Sequence, residues 1–177
     1  FVLNPARHDR VFIFGNKICR RIFNGGFGLA EIVVGAAIIS VSLFGLVAAS
    51  QLALRVADEN TKRVQASFLL EEGVEAVRVL RDGGWNVYMA PLSVGSAHYL
   101  EFSGSFWRAT TTNIFVDGKF ERSFTVNNVY RNVNDDIAGA GTLDPDTKKV
   151  TVTVAWRART GTTTESISTY FTDLFNN

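Results

Sequence analysis

Few residues in this chain have the types and spacing that chemistry needs. His8 and His98 stand far apart, with no cysteine beside either to complete a zinc set. Cys19 is the one thiol and lies in a basic N-terminal stretch, so no internal disulfide can form. In "NVNDDIAGAGTLDPDTKK", Asn132, Asn134 and Asp136 alternate like calcium ligands, but Ile137 occupies the place where the sharp turn of an EF-hand requires glycine. The stretch reads as a solvated loop. Lys148, Lys149, Arg157 and Arg159 could meet phosphates near one predicted hairpin. Residues 27–177, however, carry 13 basic and 16 acidic side chains, a net charge of −3 that argues against nucleic acid as a partner. With no nucleophile elbow, P-loop or dinucleotide fingerprint, the reading is of a non-enzyme without cofactors. One carboxylate still lacks an explanation: Glu31, in "NGGFGLAEIVVGAAIISVSLFGLVAAS", at the head of an otherwise uncharged apolar run.

The elements that must position Glu31 follow from composition. From Ile32 to Leu54, 23 consecutive residues lack any charge or histidine, enough at about 1.5 Å per residue to cross a bilayer core of roughly 30 Å. A carboxylate carried to the centre of such a helix costs about 2.5–3.5 kcal/mol. Upstream, residues 1–26 hold Arg7, Arg10, Lys17, Arg20 and Arg21 against Asp9 alone, which keeps this flank cytoplasmic and sends the C-terminal part across. The chain does not open on Met, so further leader residues are expected before Phe1.

No proline separates Pro5 from Pro91, and one long helix is predicted from Phe27 to about Asp82. Its second half becomes amphipathic. Leu69 or Leu70, Gly73 or Val74, Val77 and Leu80 mark an apolar stripe, and Glu71, Glu72, Glu75, Arg78 and Arg81 the opposite face, with Glu75 set to meet Arg78. Gly83-Gly84 is a plausible stop. Beyond it, "KVTVTVAWRA" alternates as a half-buried strand, with Val150, Val152, Val154, Trp156 and Ala158 on one face, and "ESISTYFTDLF" pairs with it as a hairpin. Asp117-Gly118 marks a second hairpin, "HYLEFSGSFWRATT" is a weaker candidate for one or two strands, and Asn127 to Lys149 reads as a long loop. The fold expected is α+β, a long N-terminal helix with a membrane-spanning first half, packed on a roughly four-stranded antiparallel sheet. The parts are a basic leader (1–26), the hydrophobic half (27–54) and amphipathic half (55–84) of the helix, and a β domain (85–177).

Gly25-Gly26 lies between the basic region and the apolar run, so cleavage there would leave the hydrophobic segment attached. With "GFGLAE" abutting that run, the arrangement resembles the class III signal of type IV pilins and pseudopilins. The resemblance implies that a prepilin peptidase cuts after Gly26 and N-methylates Phe27. It also implies that Glu31 neutralises the N-terminal amine of a neighbouring subunit as helices bundle into a filament. An acid in the first turn also suits the positive end of the helix dipole, and burial among subunits demands a counter-charge. "FLLEEGVEAVRVLRD" with Trp85, and "DPDTKKVTVTVAWRA", are similar to the helix end and penultimate strand of minor pilins.

Several features depart from the family pattern. Gly28 and Ala30 stand where Thr and Ile or Val are frequent, the membrane helix has no proline, and residues 27–177 have no cysteine. The last two favour a minor or pseudopilin-type subunit over a major pilin. The implied function is a structural subunit of a type IV pilus or type II secretion-like filament. Implied partners are the prepilin peptidase, other pilin subunits, the inner-membrane assembly platform and the membrane. The implied location is the inner membrane before assembly and an extracytoplasmic filament after it. The competing expectation is a single-pass anchored extracytoplasmic binding domain that never polymerises. Gly35, Gly45 and the small residues between them suit close helix packing, although glycine is common in membrane helices in any case.

Overall fold

The computed structural model describes residues 28–159 and 161–174. Helix α1 runs Leu29–Gly83, unbroken because nothing between Pro5 and Pro91 removes a backbone donor. The described residues of the chain divide into two compact units, one ending at Ala49 and the other beginning at Ser50. In the first, α1 is apolar and no side chain of its most apolar stretch is buried. The hydroxyls of Ser40 and Ser42 donate back to the carbonyls of Ala36 and Ile38 at 2.7 and 2.8 Å, so even its polar groups are satisfied within the helix.

In the second unit α1 buries Ala66, Leu70, Gly73, Ala76, Val77 and Leu80 against the sheet, which settles the either-or positions in favour of Leu70 and Gly73. Leu69 and Val74 pack at the margin. The helix ends at Gly83 as its glycine pair predicts, with Gly84 at a φ of 144° that suits glycine. Trp85, read as the start of the β domain, instead opens a single π-helical turn, Trp85–Met89, whose two end residues are buried.

The sheet is antiparallel, with more strands than the four expected. The strands are β1 (Ala97–Ser103), β2 (Phe106–Thr110), β3 (Phe115–Val116), β4 (Phe120–Arg131), β5 (Ile137–Ala138), β6 (Thr142–Ala158) and β7 (Gly161–Thr172). The order is β2-β1-β4-β6-β7, with the two-residue β3 and β5 both on β4. The Asp117-Gly118 hairpin is present: both residues have positive φ (52° and 63°), and the Lys119 N–H donates to the Val116 carbonyl at 3.0 Å. Gly104 and Ser105 make the β1–β2 turn in the same left-handed region, which turns the weaker strand candidate into a hairpin. Val150, Val152, Val154 and Trp156 form the buried face of β6, as their alternation requires.

The loop reading of Asn127 to Lys149 is largely overturned. β4 continues to Arg131 and β6 begins at Thr142, so only the segment between them turns. Strand pairing uses the main chain, which polar side chains leave free. The register breaks between Asn128 and Val129, where Asn128 faces Lys148 but Val129 faces Asp144, and Pro145 sits inside this irregularity where no ladder bond is asked of it.

The polar face of α1 is also not all solvent. Glu75 and Arg78 pair at 2.7 Å as expected, but Arg81 is mostly buried over the Phe171 ring. Glu72 accepts a hydrogen bond at 2.7 Å from Arg122, a cation on the core face of β4 between Phe120 and Phe124. Arg122 is buried, lies over the Trp107 ring, and leaves its Nε without a partner.

The turning segment is organised by Arg131. Its Nε donates to Asp144 at 2.6 Å and its Nη1 to the Asp135 carbonyl at 2.8 Å, while the Asn132 side-chain oxygen accepts the N–H groups of Asn134 and Asp136. The Arg131 bond holds the Asp144 carboxyl below its ordinary value against the opposing effect of burial, helped by Thr147 and the Asp146 N–H. A depressed folded pKa means the contact stabilises above the unfolded value, about 3.9, and is lost as pH falls through the folded value. Acid melts followed by tryptophan fluorescence should therefore show the parent chain losing stability more steeply below about pH 4 than Asp144→Asn, which has no such proton to take up. Equal slopes would remove Asp144 from the acid limb. The raised Arg131 pKa lies above any working pH and does not enter this window.

Candidate assembly helix

Gly26 and Phe27 lie outside the described residues, so of the three residues singled out for processing and assembly only Glu31 has a described position. It sits in the first turn of α1, and its carboxylate accepts the Gly28 N–H at 3.1 Å. Gly28 precedes the helix and Glu31 follows three residues later, which is the reciprocal half of a capping box. One donor that a helix start leaves orphaned is thereby satisfied, and the charge meets the positive end of the helix dipole. This local contact is exposed, and the rest of the carboxylate's bonding capacity is open.

Glu31 shares a helix face with small residues. At 3.6 residues per turn, Glu31, Gly35, Ser42, Gly45 and Ala49 fall within an arc of about 80°, with Ile38 the large side chain among them. Among the described residues, a Cβ added at Gly35 or Gly45 would meet nothing within 4 Å, so no contact described within the chain requires these glycines. The rest of the apolar surface is equally open among the described residues, with Leu29, Val41, Phe44 and Leu54 each more than half exposed.

A second feature escapes sequence reading. A cleft of about 500 Å³ is lined by Lys62 of α1, Phe115 of β3, the turn at Gly118 and Lys119, Phe120 of β4, Trp156 and Arg157 of β6, and Thr162 of β7. Lys62 is held by Asp58 at 2.7 Å, whereas Lys119 and Arg157 have no ion-pair partner among the described residues. The one lining acid, Glu121, accepts the Tyr99 hydroxyl at 3.1 Å. The indole N–H of Trp156 is buried without an acceptor. These residues come from five elements, and no spacing in the sequence announces them.

Among the described residues no group of three or more His, Cys, Asp or Glu side chains converges on one point. His98 is buried, tilted against Phe124, with Nε2 at 3.1 Å from the Ser93 carbonyl, a position in the core. Helix α1 is thus long and apolar enough to anchor the chain in a membrane, and its second half carries an antiparallel sheet, an architecture compatible with a pilin-like fold. No protein-family model, curated protein or solved structure matches the chain.

Proposed function

We propose that this chain is a structural subunit of a type IV pilus or type II secretion-like filament, of the minor pilin or pseudopilin kind. In this reading a prepilin peptidase cuts after Gly26 and methylates Phe27. The hydrophobic half of α1 then leaves the inner membrane to bundle with its copies, and the sheet domain decorates the surface. The observation that carries the reading is Glu31 at the head of an apolar helix that no other described residue covers. In a bundle of such helices the carboxylate would meet the amine of a neighbour, and the small face beside it would let backbones approach.

One observation favours the second reading, an anchored binding domain that never polymerises. The bond from the Gly28 N–H gives Glu31 a local task that needs no neighbour. Intact mass and N-terminal sequencing of protein from native membranes and sheared filaments separate the two. A chain beginning at methylated Phe27 is the expected result. An uncut basic leader would leave a signal anchor, with Glu31 as a helix cap alone.

A further inference from the structure

The two ends of the sheet domain differ in character. At one end is the cleft lined by Phe115, Phe120 and Trp156, with Lys119 and Arg157 at its rim lacking an ion-pair partner among the described residues. At the other, the segment between β4 and β5 presents Val133, fully exposed, followed two and three residues later by the exposed acids Asp135 and Asp136. Asp135 is 3.6 Å from the Arg131 Nε and Asp136 has no ion-pair partner among the described residues. The same strands join both ends. Phe120 pairs with Trp156 at the cleft, and Arg131 with Thr142 at the loop, which sets them roughly 35 Å apart at about 3.3 Å per residue. The loop therefore cannot fill the cleft of its own chain.

The two surfaces are complementary. One is an aromatic hollow with two cations that have no ion-pair partner among the described residues, the other an apolar tip with two carboxylates, one of them beside Arg131. A large apolar side chain fully in water gains by burial in such a hollow, and opposite charges at the rim fix its register. Because the matching patches are different surfaces of one molecule, the contact is heterologous and propagates.

We propose that the Val133 loop of one copy seats in the Phe115–Trp156 cleft of the next, joining sheet domains head to tail. The contact adds to the filament reading and rests on it for the supply of aligned copies.

The mature chain lacks cysteine, so the contact can be trapped cleanly. Full-length chain carrying Cys19→Ser, Val133→Cys and Phe115→Cys is oxidised in membranes and in sheared filaments, with each single-cysteine variant beside it. The expected result is a ladder of dimers, trimers and higher species from the chain with both cysteines. Lys119→Glu with Arg157→Glu should cut its yield about tenfold, since like charges then face each other. Adding Asp135→Lys with Asp136→Lys should restore it. Absence of a ladder overturns the docking, as does disulfide dimer from Val133→Cys alone, which would mean loops meeting loops, or a ladder indifferent to the charge swaps. Filaments without a ladder leave the helix-bundling reading standing. A ladder from chains that never form filaments supports the docking and removes the bundling.

Discussion

Glu31→Gln should be processed normally and yet fall out of filaments, with incorporation reduced by about thirtyfold or more. Glutamine at the third helical position accepts the same N–H bond as glutamate, so the cap on Gly28 is retained and only the charge is removed. In the proposed bundle that charge faces the amine of a neighbouring chain. Truncating one partner of a buried charge pair typically costs about 2–5 kcal/mol, and 2 kcal/mol already corresponds to about thirtyfold. Glu31→Ala removes cap and charge together and should do at least as badly as Glu31→Gln. Immunoblots of the sheared fraction against the membrane pool give the comparison. Normal incorporation of Glu31→Gln beside a defective Glu31→Ala would reduce the residue to a helix cap and sink the counter-charge role.

Gly73→Leu should unfold or severely weaken the sheet domain. At Gly73 α1 packs tightly on the sheet: a Cβ there would lie 2.7 Å from Val152 Cγ1 and 3.4 Å from Arg122 Cδ. Val152 is buried and stiff at χ1, and Arg122 is held between Glu72 and Trp107, so neither can yield cheaply. Overpacking of this kind costs about 1–3 kcal/mol for small insertions and more for larger ones. Replacing a helical glycine returns about 1 kcal/mol of propensity. Gly73→Ala should therefore be mildly destabilising, and Gly73→Leu should lose about 3 kcal/mol or more, a fall of roughly 10 °C in melting temperature. The three tryptophans all lie beyond residue 84, so their fluorescence in detergent-solubilised full-length protein reports on this domain. Gly45→Leu is the internal control: it meets nothing within 4 Å and should leave the melt unchanged. Equal melting of Gly73→Leu and the parent chain would show that α1 does not press on β6 at this point.

Much of the architecture is legible in the residues because it rests on local patterns. The absence of proline and the paired glycines bound α1, the period of its second half marks the buried stripe, and strict alternation places Val150, Val152, Val154 and Trp156 in the core. Asp117-Gly118 announces its turn because few other residues accept its backbone angles. The extension of β4 through Asn127 and Asn128 is not legible, since ladder bonds belong to the backbone and the partner strand decides whether they form.

What the sequence alone determined is the fold class, the membrane-length helix and the isolation of Glu31 at its head, all consequences of hydrophobic period and charge placement along one segment. What only the tertiary structure decided is which distant residues meet. It set the buried Arg122 against Glu72, fitted Gly73 to Val152, and gathered a cleft from α1, β3, β4, β6 and β7. Such contacts depend on sheet order and register, which one-dimensional periodicity does not encode, because each strand pattern is compatible with several neighbours until the chain is packed.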